Sequence, residues 1–191
     1  EELPVTHVTW WRADGIVGWS RSLPGVMPDG VTTRQDGAVW LAVSWIAGNR
    51  RKSALFLLRQ DGSGEREVEI TRPDGRIVKV NQMQPNGPGG VLLAGSESEM
   101  AGPGAPAEGI VEAFGPDGRL IWRDIRKNPG SDVACSAVET ADGGVAVLGW
   151  MRTGTGNTCA EIWQVRKYGA DGGVVWTTEI GLNSQGMSRQ S

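Results

Sequence analysis

The sequence predicts an all-β fold built from four-stranded antiparallel units, and three observations carry that expectation. An Asp-Gly pair recurs at Asp14-Gly15, Asp61-Gly62, Asp117-Gly118 and Asp171-Gly172, at spacings of 47, 56 and 54 residues. A second turn signal interleaves with it, at Asp36-Gly37, Asn86-Gly87 and Asp142-Gly143. Glycine or proline interrupts nearly every window, and no run of about 10 to 12 positions shows apolar residues at helical spacing.

In chain order, "HVTWWRA" and "IVGWSRSL" flank the first Asp-Gly and read as a hairpin over about residues 5–24. The next unit, about 30–70, holds "GVTTR", "AVWLAVSW", "ALFLLRQ" and "EREVEI". The third, about 76–126, holds "RIVKVNQM", "GVLLAGS", "GIVEAFGP" and "RLIWRDI", and the fourth, about 131–181, "VACSAVET", "GVAVLGW", "IWQVRKYGA" and "GVVWTTEI". A partial strand is expected over 182–191. The second run of each full unit is apolar on both faces, as a strand buried between neighbouring sheets should be. Asp14, Asp117 and Asp171 are assigned to tight turns that need positive backbone angles. Three residues before each aspartate stands a large apolar side chain: Trp11, Leu58, Phe114 or Tyr168. Five residues after it stands Trp19, Trp122 or Trp176, with Arg66 as the exception.

Four-stranded units of about 50 residues are the mark of a β-propeller, in which each blade buries its faces against its neighbours. A β-sandwich is the competing arrangement, but it does not require the same turn at the same place in every unit. The expectation is one repeat region over 1–191 with about three and a half blades. "VRKYGADGGVVWTTEIG", preceded by "ADGGVAVLGW", resembles the repeat of secreted bacterial β-propellers, whose blades run DGG, strand, loop, strand, K-x-D-x-x-G-x-x-x-W. More loosely, it is similar to the tryptophan-docking repeat of quinoprotein dehydrogenases. The resemblance implies that Trp19, Trp122 and Trp176 pack between blades; it speaks to fold and not to activity.

Composition narrows the function classes. The net charge of −3 gives no general attraction to nucleic acid or anionic lipid. No apolar run reaches the roughly 18 to 20 residues a membrane helix needs, so no membrane insertion is expected. The opening "EELPVTH" suits a chain that has lost a signal peptide, which favours an extracellular or periplasmic location. No catalytic constellation is legible. His7 is the single histidine and has no nucleophile context around it. One His and two Cys do not make a zinc site, and no D-x-D-x-D-G loop offers calcium ligands, so neither metal nor cofactor is expected. "GPGG" and "GTG" do not lie between a strand and a helix, as phosphate loops do.

For an exported chain, Cys135 and Cys159 fall at ends of strands on one side of a blade and are candidates for a disulfide; two unconnected cysteines are the alternative. The same geometry gathers several loops on one rim, with Arg50, Arg51, Lys52, Glu97, Glu99, Glu108 and Arg152. Variable loops on a rigid scaffold are where binding resides. Trp10 and Trp45, two of nine tryptophans, are expected to pack between blades, with stacking on sugars as the alternative. The leading expectation is a non-catalytic exported propeller module, a binding or structural subunit that uses its rim for a protein or glycan partner. The alternative is part of a quinoprotein-type dehydrogenase with a pyrroloquinoline quinone and calcium. Because the opening hairpin lacks two strands of its unit, a protein partner, a second copy or further chain is expected to complete the array.

Overall fold

The computed structural model describes residues 4–48, 50–72, 74–99, 106–127, 130–153 and 160–180. Among these it contains strands and turns and no helix. A two-stranded sheet pairs β1 (Val5–Trp11) with β2 (Val17–Pro24). Three four-stranded sheets follow in chain order. The first holds β3 (Met27–Thr33), β4 (Val39–Ala47), β5 (Arg50–Leu58) and β6 (Gly64–Glu69). The second holds β7 (Ile77–Asn86), β8 (Gly90–Ser98), β9 (Glu108–Phe114) and β10 (Leu120–Arg126). The third holds β11 (Asp132–Glu139), β12 (Val145–Thr153), β13 (Ala160–Tyr168) and β14 (Val174–Ile180). Every pairing is antiparallel between consecutive strands, and none of the sheets is closed.

The Asp-Gly turns are three-residue turns with a bulge. At the first, Gly15 N donates to Arg12 O at 2.9 Å and Arg12 N to Ile16 O at 2.9 Å. Only the glycine has a positive φ, +79°, and no non-glycine residue does among those described. The expectation of positive angles through the turn is corrected accordingly: this is a type I turn closed by a left-handed glycine, not a two-residue primed turn. The aspartate contributes differently. Its carboxylate accepts from the backbone N–H two residues on, as Asp14 does from Ile16, Asp117 from Arg119 and Asp171 from Gly173, all within 3.1 Å.

The sheets stack face to face. Trp40, Ala42, Leu55 and Leu57 of the first four-stranded sheet meet Val80, Met83, Val91, Leu93, Ile110 and Phe114 of the second. Leu92, Ala94, Val111 and Ala113 on the far face of the second sheet meet Ala134, Ala137, Val145, Val147 and Tyr168 of the third. β8 is thereby buried on both faces, and residues 39–44 of β4 are buried as well. β12 is not. Its pattern alternates, and Leu148 is exposed, because no sheet covers its second face among the described residues. That corrects the expectation of burial on both faces for "GVAVLGW".

One joint recurs between successive sheets. The side chain five residues after Asp14, Asp61 and Asp117 lies on the Asp-Gly turn of the next sheet. Trp19 donates its indole N–H to Gln60 O at 2.8 Å, and a Cβ on Gly62 would fall 2.7 Å from its ring. Arg66 donates to Asp117 O, and its chain runs beside Gly118. Trp122 covers Gly172, where a Cβ would come within 2.6 Å, and stacks on Tyr168 with ring centroids 5.6 Å apart. Only glycine fits beneath the two indoles, and at Gly118 a Cβ would fall 2.6 Å from Val68 Cγ2. Trp176 differs: it is 46% exposed and covers no turn among the described residues, so the expectation that it packs between sheets does not hold there. We therefore expect Trp122→Ala to destabilise the fold by about 3 kcal/mol and Trp176→Ala to change it by less than about 0.5 kcal/mol, both measured by urea denaturation.

Candidate functional site

The connection between β6 and β7 carries a turn of the same kind at Asp74-Gly75. Gly75 N donates to Arg72 O at 2.9 Å, Gly75 has φ +81°, and Asp74 accepts from Arg76 N at 3.1 Å. The turn holds Arg72 and Arg76 on one side of the junction between two sheets, facing acids from β8 and β9. Arg72 Nε donates to Glu97 at 2.6 Å, and its Nη1 lies 2.9 Å from Glu112. Arg76 bridges Glu97 at 3.2 Å, Glu99 at 3.3 Å and Glu108. Arg123 of β10 donates to the same Glu112 oxygen, Oε1, at 2.5 Å.

Burial sets the character of this network. Arg72, Glu97 and Glu112 are buried, and Glu112 is entirely so. Charges withdrawn from water in this way are costly unless each finds opposite charge and hydrogen bonds. The hydrogen bond from Arg76 to Glu108 is the largest effect on the Arg76 guanidinium and raises its pKa, against the opposing pull of burial. Arg72 Nη2 and Glu112 Oε2 lack a hydrogen-bond partner among the described residues.

A cleft of about 360 Å³ opens beside the network, lined by Arg50, Arg51, Lys52, Glu69, Thr71, Arg72 and Gly75. Four cations and one carboxylate therefore surround it. Arg51 is held by Asp29 at 2.9 Å and Ser44 at 2.7 Å, and Lys52 by Glu69 at 3.1 Å. Arg50 is exposed and has no ion-pair partner among the described residues. Chemically, the cleft can receive an anionic group, with Arg50 as the unengaged donor.

The structure thus draws six of the expected rim residues to one junction, but in two roles. Arg50, Arg51 and Lys52 line the cleft from the start of β5 and are not loop residues. Glu97, Glu99 and Glu108 are instead partners of Arg76, and Glu97 is too deeply buried to serve as a rim contact. Arg152 lies apart, on β12, where it pairs with Glu161 at 3.1 Å. Arg72, Arg76 and Glu112 were not anticipated. The signal for the first two is "RPDGR", a further Asp-Gly pair; Glu112 sits in an apolar run and gives no sign of its burial.

The remaining candidates fall elsewhere. His7 Nδ1 lies 3.0 Å from Ser22 Oγ on an exposed sheet face. A second cleft, about 590 Å³, runs between β1 and β3 and is lined by Val5, Val8, Val31 and Leu41 together with His7 and Asp29. Trp10 is half-buried over Gly18, and Trp45 is half-buried opposite Lys52. Cys135 is half-buried on β11, and burial raises the pKa of its thiol. Cys159, and so the expected disulfide, lies outside the described residues, as does 182–191. Among the described residues, no three His, Cys, Asp or Glu side chains converge to hold a metal ion.

A second buried pair ties the next two sheets together. Arg126 meets Asp132 at 3.0 Å, and Asp124 accepts from Tyr168 at 2.6 Å and Arg166 at 3.2 Å. Burial raises the pKa of both Asp132 and Tyr168. These groups join sheets and line no cleft described above.

The chain matches no protein-family model and no curated protein. The network itself can be tested directly. Glu112→Leu leaves Arg72 and Arg123 short of a carboxylate and is expected to cost about 3–5 kcal/mol, whereas Glu99→Gln, at an exposed position, should change stability by less than about 0.5 kcal/mol. Urea denaturation of the two variants measures the difference.

Proposed function

We propose that the four sheets are blades of a β-propeller-type array, and that the chain is a non-catalytic, exported module that binds a protein or glycan partner. The observation that supports this reading is the cationic cleft of Arg50, Arg51, Lys52 and Arg72. It stands on a junction whose side chains are already locked by ion pairs, so a ligand pays little to organise it. The excess of positive charge selects a partner that presents a carboxylate, sulfate or phosphate group. Arginine suits this task because its planar fork can engage two oxygens at once.

A glycan array that includes uronic and sulfated sugars, run beside identification of proteins that co-purify with the native chain, separates the two partner classes. For whichever ligand is found, Arg50→Glu is expected to weaken binding at least tenfold, about 1.4 kcal/mol, with no change in Tm. Binding that survives both Arg50→Glu and Lys52→Glu unchanged would overturn this assignment of the site.

A further inference from the structure

The joint between sheets has two halves, and among the described residues one example of each is unfilled. The donor half is a side chain five residues after a turn aspartate. The acceptor half is an Asp-Gly turn with a large apolar residue three positions before the aspartate. Trp19 on Gly62, Arg66 on Gly118 and Trp122 on Gly172 fill three joints. In the last of these the indole also stacks on Tyr168, the residue three before Asp171. The unfilled donor is Trp176. The unfilled acceptor is Asp14-Gly15, where a Cβ on Gly15 would meet nothing within 4 Å, and its residue three before the aspartate is Trp11, 61% exposed.

Trp11 and Trp176 are both open to solvent. Around the turn, Ile16 and Val17 are exposed beside Trp11. Around the donor, cross-strand register places Trp176 in one row with Lys167, Ala146 and Val138, followed by Thr178, Val165 and Leu148 in the next. The equivalent row of the preceding sheet, Trp122, Ala113 and Leu92, is the one that meets the third four-stranded sheet. Trp176, Val138 and Leu148 are exposed on this face, interrupted by Lys167, whose Nζ pairs with Asp142 at 2.6 Å; exposed apolar side chains gathered on one sheet face mark an interaction surface.

We propose that this face receives a second copy of the same chain, with Trp176 seated on the Asp14-Gly15 turn of that copy and stacked on its Trp11. The occupant is identified by the three internal joints, which show what surface this donor accepts, and by the chain's own possession of the matching vacant turn. The two halves lie on different surfaces, so the contact is heterologous, head to tail; it propagates until a ring closes or a filament forms. It is independent of the cationic cleft, and Arg50→Glu should leave it intact.

Sedimentation velocity across a concentration series tests the idea. The wild-type chain should at least double in mass as concentration rises. Trp176→Ala and Trp11→Ala should each stay monomeric with unchanged circular dichroism and Tm. Their equimolar mixture should recover a dimer, since each variant retains the half the other has lost. A photo-crosslinking residue in place of Val174, exposed on the same strand face beside an intact Trp176, should couple to residues 11–16 of the other copy. A wild-type chain that is monomeric at every concentration, association that survives Trp176→Ala, or a mixture that remains monomeric would each overturn the proposal.

Discussion

Everything in this fold rests on the Asp-Gly turn acting twice. Within a sheet it closes a hairpin, because the carboxylate caps a backbone N–H while glycine takes the left-handed angle. Between sheets it is a seat, because the missing side chain lets an indole, or the aliphatic chain of Arg66 with Val68, come against the backbone. A single alanine there would impair both at once. The stacking of sheets, and hence the burial of β8 on both faces and of residues 39–44 of β4, depends on that coincidence.

The charged junction builds on the same device. Asp74-Gly75 is placed in a connection and not in a hairpin, so it seats no aromatic ring; it presents Arg72 and Arg76 to acids from the next sheet. Buried ion pairs contribute little net stability against a well-packed apolar alternative. What they supply is a fixed placement of charge. The cleft beside them inherits that fixity, since Arg72 belongs to both the network and the lining.

Much of the architecture was legible because periodic turn chemistry is local. Asp-Gly pairs and flanking apolar runs are visible in any window, so strand order, hairpin positions and the two turn classes could be read directly. Boundaries slipped at β3, which begins at Met27 because Pro28 and Asp29 sit at a bulge against Val43 and Ala42. What could not be read was environment. Trp122 and Trp176 occupy the same motif, yet Trp122 stacks on Tyr168 of the next sheet and Trp176 is exposed among the described residues, a difference the motif does not encode. Glu97 and Glu112 look like ordinary surface acids until the chain brings Arg72 and Arg76 to them from more than twenty residues away.

The β1–β2 hairpin has a consequence for motion. It is a two-stranded ribbon whose residues are mostly exposed, and such ribbons are marginal on their own. It is fastened by a few contacts: Trp19 and Arg21 on the Gln60–Gly62 turn, and Thr6 Oγ donating to Val26 O at 2.6 Å. The middle sheet is instead clamped from both sides. Opening is therefore graded along the chain, with the hairpin lifting off as a unit long before the central strands separate. In amide hydrogen exchange that gradient appears as fast, correlated exchange over residues 5–24 against protection in β8 and β9.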